Sequence, residues 1–219
     1  MKPAPTVFVI DDDPGMRKSL TFLFKSEGFL VETFKDGPSF LRTYNPERPG
    51  CLILDIRMPG MSGLEVQEHL FSIADPIPII IISAHADVSS AVRALKGGSF
   101  DFLEKPYSPT LLLERVKMAL EKDQALRAEK VWRVSYLHRV QELTAREKQI
   151  LALVVAGKPS KMVADRLGLS VSTVDNHRAR IMKKLKAETT ADLTRIALLA
   201  DPNLGRVEDL SQTESRQPQ

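Results

Sequence analysis

Along residues 1 to 122, short apolar runs rich in β-branched residues alternate with stretches whose apolar positions recur every three or four residues. Runs of the first kind read as strands buried on both faces, and stretches of the second kind as amphipathic helices. The pattern therefore predicts an α/β doubly wound fold, a parallel sheet with helices on either side. Five strands are expected, at Val7 to Ile10, Leu30 to Thr33, Leu52 to Asp55, Ile77 to Ile82 and Ser99 to Leu103. Helix punctuation falls between them: Ser62-Gly-Leu-Glu65 reads as a capping box, Pro14 and Pro109 suit first-turn positions, and Gly28 suits a helix end.

After Pro109 neither glycine nor proline occurs until Gly157, so a long helix is expected to run out of the first domain. Within it, Leu126, Val131, Val134, Leu137 and Val140 form a broken apolar stripe without a sustained heptad, which reads as a helical linker able to support dimerisation. Thr144-Ala-Arg-Glu147 is another capping box, opening a helix that Gly157 can close. A second helix fits Ser160 to Leu167, and the tight turn Gly168-Leu-Ser170 leads into a third that runs to Leu185. Two short helices joined by a glycine-containing turn are the helix-turn-helix pattern. The expected division is 1–122 for the α/β domain, 123–141 for the linker, 142–200 for a small all-α domain, and 201–219 for a polar, aperiodic tail expected to be disordered.

Charge sharpens this division. Residues 1 to 122 hold 14 Lys and Arg against 16 Asp and Glu, whereas residues 123 to 200 hold 15 against 8, so the second half is positive by 7 and the first negative by 2. A basic second half points to a polyanionic partner, nucleic acid first. The single cysteine, Cys51, opens an apolar run, excludes an internal disulfide framework and fits a buried thiol in a reducing compartment. With no secretory signal and no apolar stretch of spanning length, a cytoplasmic location is expected and a membrane partner is not.

In an open α/β sheet the site lies beyond the carboxyl ends of the strands, where strand order reverses. At those ends stand Asp11-Asp12-Asp13, Asp55, Ser83 and Lys105-Pro106. Clustered carboxylates call for a cation, and hard oxygen ligands suit Mg2+. Asp55, the lone acid at its strand end, is the best nucleophile toward a phosphoryl group. Lys105 would offset charge on the phosphoryl oxygens and Ser83 would donate a hydrogen bond. Singly, the Asp run could be no more than a helix-capping turn; jointly, four suitable residues at successive strand ends argue for a site.

In the third helix of the basic half, Val174, Ile181 and Leu185 share a stripe that should face the core, at about 100° per residue. Ser172, Asn176, Ala179 and Lys183 point the other way. Asn suits bidentate pairing with adenine, Ala suits contact with a thymine methyl, and Ser and Lys are adaptable. Thr173, Arg178, Arg180 and Lys184 lie to the sides, where phosphates would run, and His177 reads as structural or phosphate-contacting. Asp175 is an acid on this DNA-facing helix; it would either favour a cytosine or repel phosphate.

The blocks VFVIDDDP, LILDIRMPGMSG, IIISAH and FLEKPY resemble those of receiver domains, and LTAREKQILALVVAGKPSKMVADRLGLSVSTVDNHRARIMKKL resembles a LuxR-type DNA-binding domain. Together they resemble response regulators of the FixJ and NarL group, in which a flavodoxin-like receiver controls a helix-turn-helix. The resemblance implies that Asp11 and Asp12 form the acid pair around Mg2+, that Asp55 is the phosphoacceptor, and that the Arg57 main-chain carbonyl is a further metal ligand. It also implies that Ser83 and Lys105 bind the phosphoryl oxygens and that Phe102 is the aromatic switch residue paired with Ser83. Serine replaces the more frequent threonine at position 83, and Phe102 lacks a tyrosine hydroxyl. The implied partners are a sensor histidine kinase, a double-stranded DNA operator and RNA polymerase, with a homodimer forming on phosphorylation. No turnover activity is expected beyond slow self-dephosphorylation.

Two regulatory schemes remain open at this level: phosphorylation-driven dimerisation, and release of a recognition helix covered by the unphosphorylated receiver. Two other functional classes fit the sequence less well. An Mg2+-dependent phosphatase could also use an aspartyl nucleophile, but this chain has no second acid two residues after Asp55, where Arg57 stands, and a receiver-only adaptor would not need residues 143 to 198.

Overall fold

The computed structural model describes residues 4–73, 77–84, 88–201 and Leu204. The chain divides into two compact units, Met1–Arg127 and Ala128–Gln219. In the first, strands β1 (Thr6–Ile10), β2 (Leu30–Phe34), β3 (Gly50–Asp55), β4 (Ile79–Ser83) and β5 (Asp101–Glu104) form one parallel sheet in the order β2-β1-β3-β4-β5. Helices α1 (Pro14–Ser26), α2 (Gly37–Thr43), α3 (Gly63–Phe71), α4 (Val88–Lys96) and α5 (Pro109–Gln141) alternate with the strands, α5 running on into the second unit. Strands β1, β3 and β4 are buried along their whole length, which is why their sequences are continuous apolar runs rather than alternating ones. Successive residues feed opposite faces: Phe8, Ile10, Leu52, Leu54 and Ile81 join one core cluster, and Val7, Val9, Cys51, Ile53 and Ile82 the other. Cys51 is fully buried, and burial pushes its thiol pKa up, consistent with a packing role.

The expected strands are all present, with shifted ends. Strand β4 begins at Ile79 rather than Ile77, because Pro78 has no N–H to give the ladder, although its carbonyl still accepts from Leu52 at 2.9 Å. Strand β5 begins at Asp101 rather than Ser99, whose N–H is spent closing α4 on the Ala94 carbonyl at 3.2 Å. Asp13 caps α1 ahead of Pro14, the Ser62–Glu65 capping box opens α3, and Gly28 takes a positive φ of 83° just past the end of α1.

In the second unit, α6 (Ala145–Val155), α7 (Ser160–Leu167), α8 (Val171–Leu185) and α9 (Thr190–Ala200) enclose a core of Ile150, Leu151, Val163, Val174, Ile181, Leu185, Leu193 and Ile196. The expected box at Thr144 and Glu147 caps α6, and Ser170 caps α8. The last part of α5 belongs to this core rather than to a free linker, since Trp132, Tyr136 and Val140 pack against it. The tail from position 201 lies outside the described residues apart from Asp201 and Leu204.

Candidate functional site

Strand order reverses between β2 and β3 on either side of β1, and there the ends of β1 and β3 deliver Asp11 and Asp55. Asp11 is 1% exposed and Asp55 6%, so neither carboxylate is bathed by solvent. The Lys105 ammonium sits between them, 3.1 Å from Asp11 Oδ2 and 2.9 Å from Asp55 Oδ1. Lys105 reaches that point because its own N–H donates to the Ser83 carbonyl at 2.8 Å, which extends the β4–β5 pairing past the strand ends. Ser83 is buried at the end of β4. Of the expected site residues, Asp11, Asp55, Ser83 and Lys105 therefore meet at one edge of the sheet.

The rest of the acidic run is arranged differently. Asp13 caps α1 through the Gly15 N–H at 2.8 Å and donates its own N–H to Asp11 Oδ1 at 2.9 Å. Asp13 thus makes the capping turn, while Asp11 turns into the pocket beside Lys105. Asp12 is exposed, and its carboxylate has no partner among the described residues. The loop backbone is clamped by Arg17, which donates to the carbonyls of Asp11 at 2.7 Å and Asp12 at 2.9 Å. No sequence motif marked Arg17, because its spacing is that of any residue in the first turns of a helix. The Arg57 side chain is exposed, and its N–H donates to Asp55 Oδ2 at 3.1 Å. Phe102 is half-buried and packs against the core cluster of Phe8 and Leu54.

Burial raises the Asp55 pKa; the hydrogen bond and charge of Lys105 oppose the rise and the charge of Asp11 adds to it. Burial works against the Lys105 ammonium, but its bonds to Asp55 and Asp11 outweigh that and hold its pKa up. One ammonium shared by two buried carboxylates leaves the pocket a net negative charge built from hard oxygen donors, the kind of donor set that Mg2+ takes. Among the described residues no three His, Cys, Asp or Glu side chains gather closely enough to hold a metal by themselves. Gly63, the first residue of α3, passes so close to the end of β3 that a Cβ there would collide with the Asp55 carbonyl oxygen.

In the second unit the core stripe of α8 is as expected: Val174, Ile181 and Leu185 are fully buried. Ser172, Asn176, Ala179, Arg180 and Lys183 are exposed, and Thr173, His177 and Arg178 are half-buried. The Nδ1 atom of His177 is buried with no hydrogen-bond partner among the described residues. Lys184 is committed elsewhere, its ammonium lying 2.7 Å from Glu147 Oε2 on α6. Asp175 accepts from the Ser160 hydroxyl at 2.7 Å, and Arg178 donates to the same Ser160 oxygen at 3.1 Å. Val171, at the start of α8, is exposed and was not singled out by the helix periodicity.

A five-stranded doubly wound domain with a Lys-bridged acid pair at its switch point, together with a basic helix-turn-helix, defines a response regulator with a DNA-binding output. The family model for the response regulator receiver domain matches residues 7–117, and that for bacterial regulatory proteins of the luxR family matches residues 141–197. The chain belongs to the response regulators, as a transcriptional regulator of the two-component class. It is 41% identical over 191 residues to nodulation protein W of Bradyrhizobium diazoefficiens, covering 87% of this chain and 84% of that one. It is 40% identical over 193 residues to the transcriptional regulatory protein FixJ of Rhizobium meliloti, covering 88% and 95%. Among solved structures, the response regulator StyR is similar at 42% identity with a TM-score of 0.75, over 88% of this chain and 98% of that one.

Proposed function

We propose that Asp55 accepts a phosphoryl group from a sensor histidine kinase and that the acyl phosphate shifts the protein toward a DNA-binding homodimer. The observation that carries this reading is the Lys105 ammonium shared by Asp11 and Asp55 beyond the switch point, in a chain that also bears a basic helix-turn-helix. An Asp55 carboxylate oxygen attacks phosphorus, the bond from phosphorus to the kinase imidazole nitrogen breaks, and the imidazole leaves with the electron pair. Lys105 stays paired with the charge that collects on the phosphoryl oxygens, and the Ser83 hydroxyl donates to one of them. Asp11, Asp12, Asp55 and the Arg57 carbonyl would hold Mg2+, which supplies further charge neutralisation at those oxygens. Movement of Ser83 toward the phosphate, followed by Phe102 inward, reshapes the surface that pairs two copies.

In the DNA-binding domain, Ser172, Asn176, Ala179 and Lys183 meet base edges while Thr173, His177, Arg178 and Arg180 meet phosphates. Two linked copies then hold paired half-sites, and avidity supplies most of the gain. The functional divisions follow as 1–122 for the receiver and 142–200 for the output domain, joined by 123–141, whose Trp132, Tyr136 and Val140 pack on the output core. The protein acts in the cytoplasm beside RNA polymerase; no described helix is long and apolar enough to cross a membrane.

The test is selection from a randomised DNA duplex pool with and without acetyl phosphate and Mg2+, alongside light scattering. Enrichment of a repeated half-site and a doubled mass on phosphorylation are expected. Equal enrichment and unchanged mass in both states would overturn the proposed control.

A further inference from the structure

The acid on the recognition helix has a place that helix periodicity did not assign to it. On α8 the groove-facing row is Ser172, Asn176, Ala179 and Lys183; Asp175 and Arg178, three residues apart, lie on the flank that contacts α7. There the Ser160 hydroxyl is used twice. Its proton goes to Asp175 Oδ1 at 2.7 Å, and its oxygen accepts from Arg178 Nη1 at 3.1 Å. A hydroxyl has one donor, so its direction is set by the carboxylate, and its lone pairs are what Arg178 finds.

Ser160 opens α7, and the residue before it, Pro159, contributes no side-chain capping bond. The Asp175–Ser160–Arg178 chain is therefore a polar tie between the two helices of the helix-turn-helix at this corner. The other nitrogens of a guanidinium held at one corner stay free to donate in a fixed direction.

We infer that Asp175 is a positioning residue: through Ser160 it orients Arg178 for a phosphate contact, and it reads no base. The inference rests on the reading that α8 enters the major groove, and it departs from the two roles that sequence left open. A carboxylate that read cytosine would need its oxygens over the groove. One that merely repelled the backbone would weaken binding by being present.

The three roles differ in the sign of the affinity change or in base preference. Wild type, Asp175→Ala, Ser160→Ala, these two combined, Ser160→Thr, Arg178→Ala, and Arg178→Ala combined with Asp175→Ala are measured in full-length phosphorylated protein. Affinity is read on the duplex selected by wild type, across a salt series, and base preference is read from a randomised pool. Positioning requires Asp175→Ala and Ser160→Ala each to lose about fivefold in affinity, the scale of coupling within one hydrogen-bond network, with the two combined losing no more than either. Base preference stays unchanged, Ser160→Thr restores binding, and Arg178→Ala lowers the salt slope by about 1 and abolishes the effect of Asp175→Ala.

Tighter binding by Asp175→Ala would overturn the inference in favour of repulsion, and relaxed preference at a single base pair would overturn it in favour of direct readout. Wild-type protein that enriches no duplex at all would instead remove the DNA-binding reading on which the inference rests. Circular dichroism of each variant checks that α7 and α8 remain folded; Asp175 is exposed and Ser160 half-buried, so neither substitution opens the core.

Discussion

The Lys105 ammonium lies 2.9 Å from Asp55 Oδ1 while also serving Asp11 at 3.1 Å. The pocket therefore holds one more negative charge than it can neutralise, and substitutions at its two ends should act on stability with opposite signs. Asp55→Asn removes the unbalanced charge and should raise receiver stability by about 1 kcal/mol, the scale of a charge optimisation. Lys105→Met leaves two buried carboxylates facing each other and should cost about 3 kcal/mol. Urea unfolding of each variant and of the pair checks this, with Asp55→Asn recovering much of the Lys105→Met loss in the double variant.

Gly63 brings α3 against the end of β3, with its N–H donating to the Ile56 carbonyl at 2.9 Å. A methyl at this position meets the Asp55 carbonyl oxygen, which is backbone and cannot swing away. Gly63→Ala should destabilise the receiver by about 2 kcal/mol, as overpacking does, and slow phosphorylation from acetyl phosphate by displacing the acceptor. An unaltered rate together with an unaltered melting temperature would show that α3 accommodates the methyl.

Burial disfavours the Glu147 carboxylate, but the Lys184 ammonium and the bonds from Thr144 more than offset this and hold its pKa below the ordinary carboxylate value. A lowered folded pKa adds stability that is present above the unfolded pKa and is lost as pH falls through the folded one. Stability of the output domain should therefore drop as acid is added from pH 5 downward, by an amount that shrinks in Lys184→Met. Because this lysine is engaged with α6, Lys184→Met should lower the melting temperature while leaving the salt dependence of DNA binding close to wild type.

Trp132 and Tyr136 pack with ring centroids 4.2 Å apart and their planes tilted by 60°, and Arg195 of α9 lies over the Trp132 ring at 4.9 Å. The packing of the output core accordingly extends back into α5, ahead of position 142. A fragment starting at Ala128 should be more stable than one starting at Glu142 by about 2 kcal/mol, the value of one buried large side chain. Trp132 is the only tryptophan in the chain, so its fluorescence reports unfolding of this corner directly.

Much of this was legible in sequence where local rules sufficed. Strands β1, β3 and β4 stood out because both faces are buried, and the boxes at Ser62 and Thr144 marked α3 and α6 because capping needs only four neighbouring residues. The same rule would have marked α9 at Thr189 and Asp192, a box that is present but was not read. Asp11, Asp55, Ser83 and Lys105 were legible because an α/β topology sends every strand end to one edge. Contacts between elements were not legible: periodicity puts Lys184 on a flank of α8 but does not say that Glu147 waits there, or that Asp175 meets Ser160. The division of roles within Asp11-Asp12-Asp13 was equally hidden, since one capping turn and one buried carboxylate share the same residue type.

The most direct test of the central claim is intact mass of the protein after incubation with acetyl phosphate and Mg2+, wild type beside Asp55→Asn. A single phosphoryl adduct on wild type, mapped to Asp55 and absent from the variant, is the predicted result. An adduct that persists in Asp55→Asn, or a wild-type chain that binds Mg2+ yet takes no phosphoryl group from either acetyl phosphate or a phosphorylated histidine kinase, would contradict it.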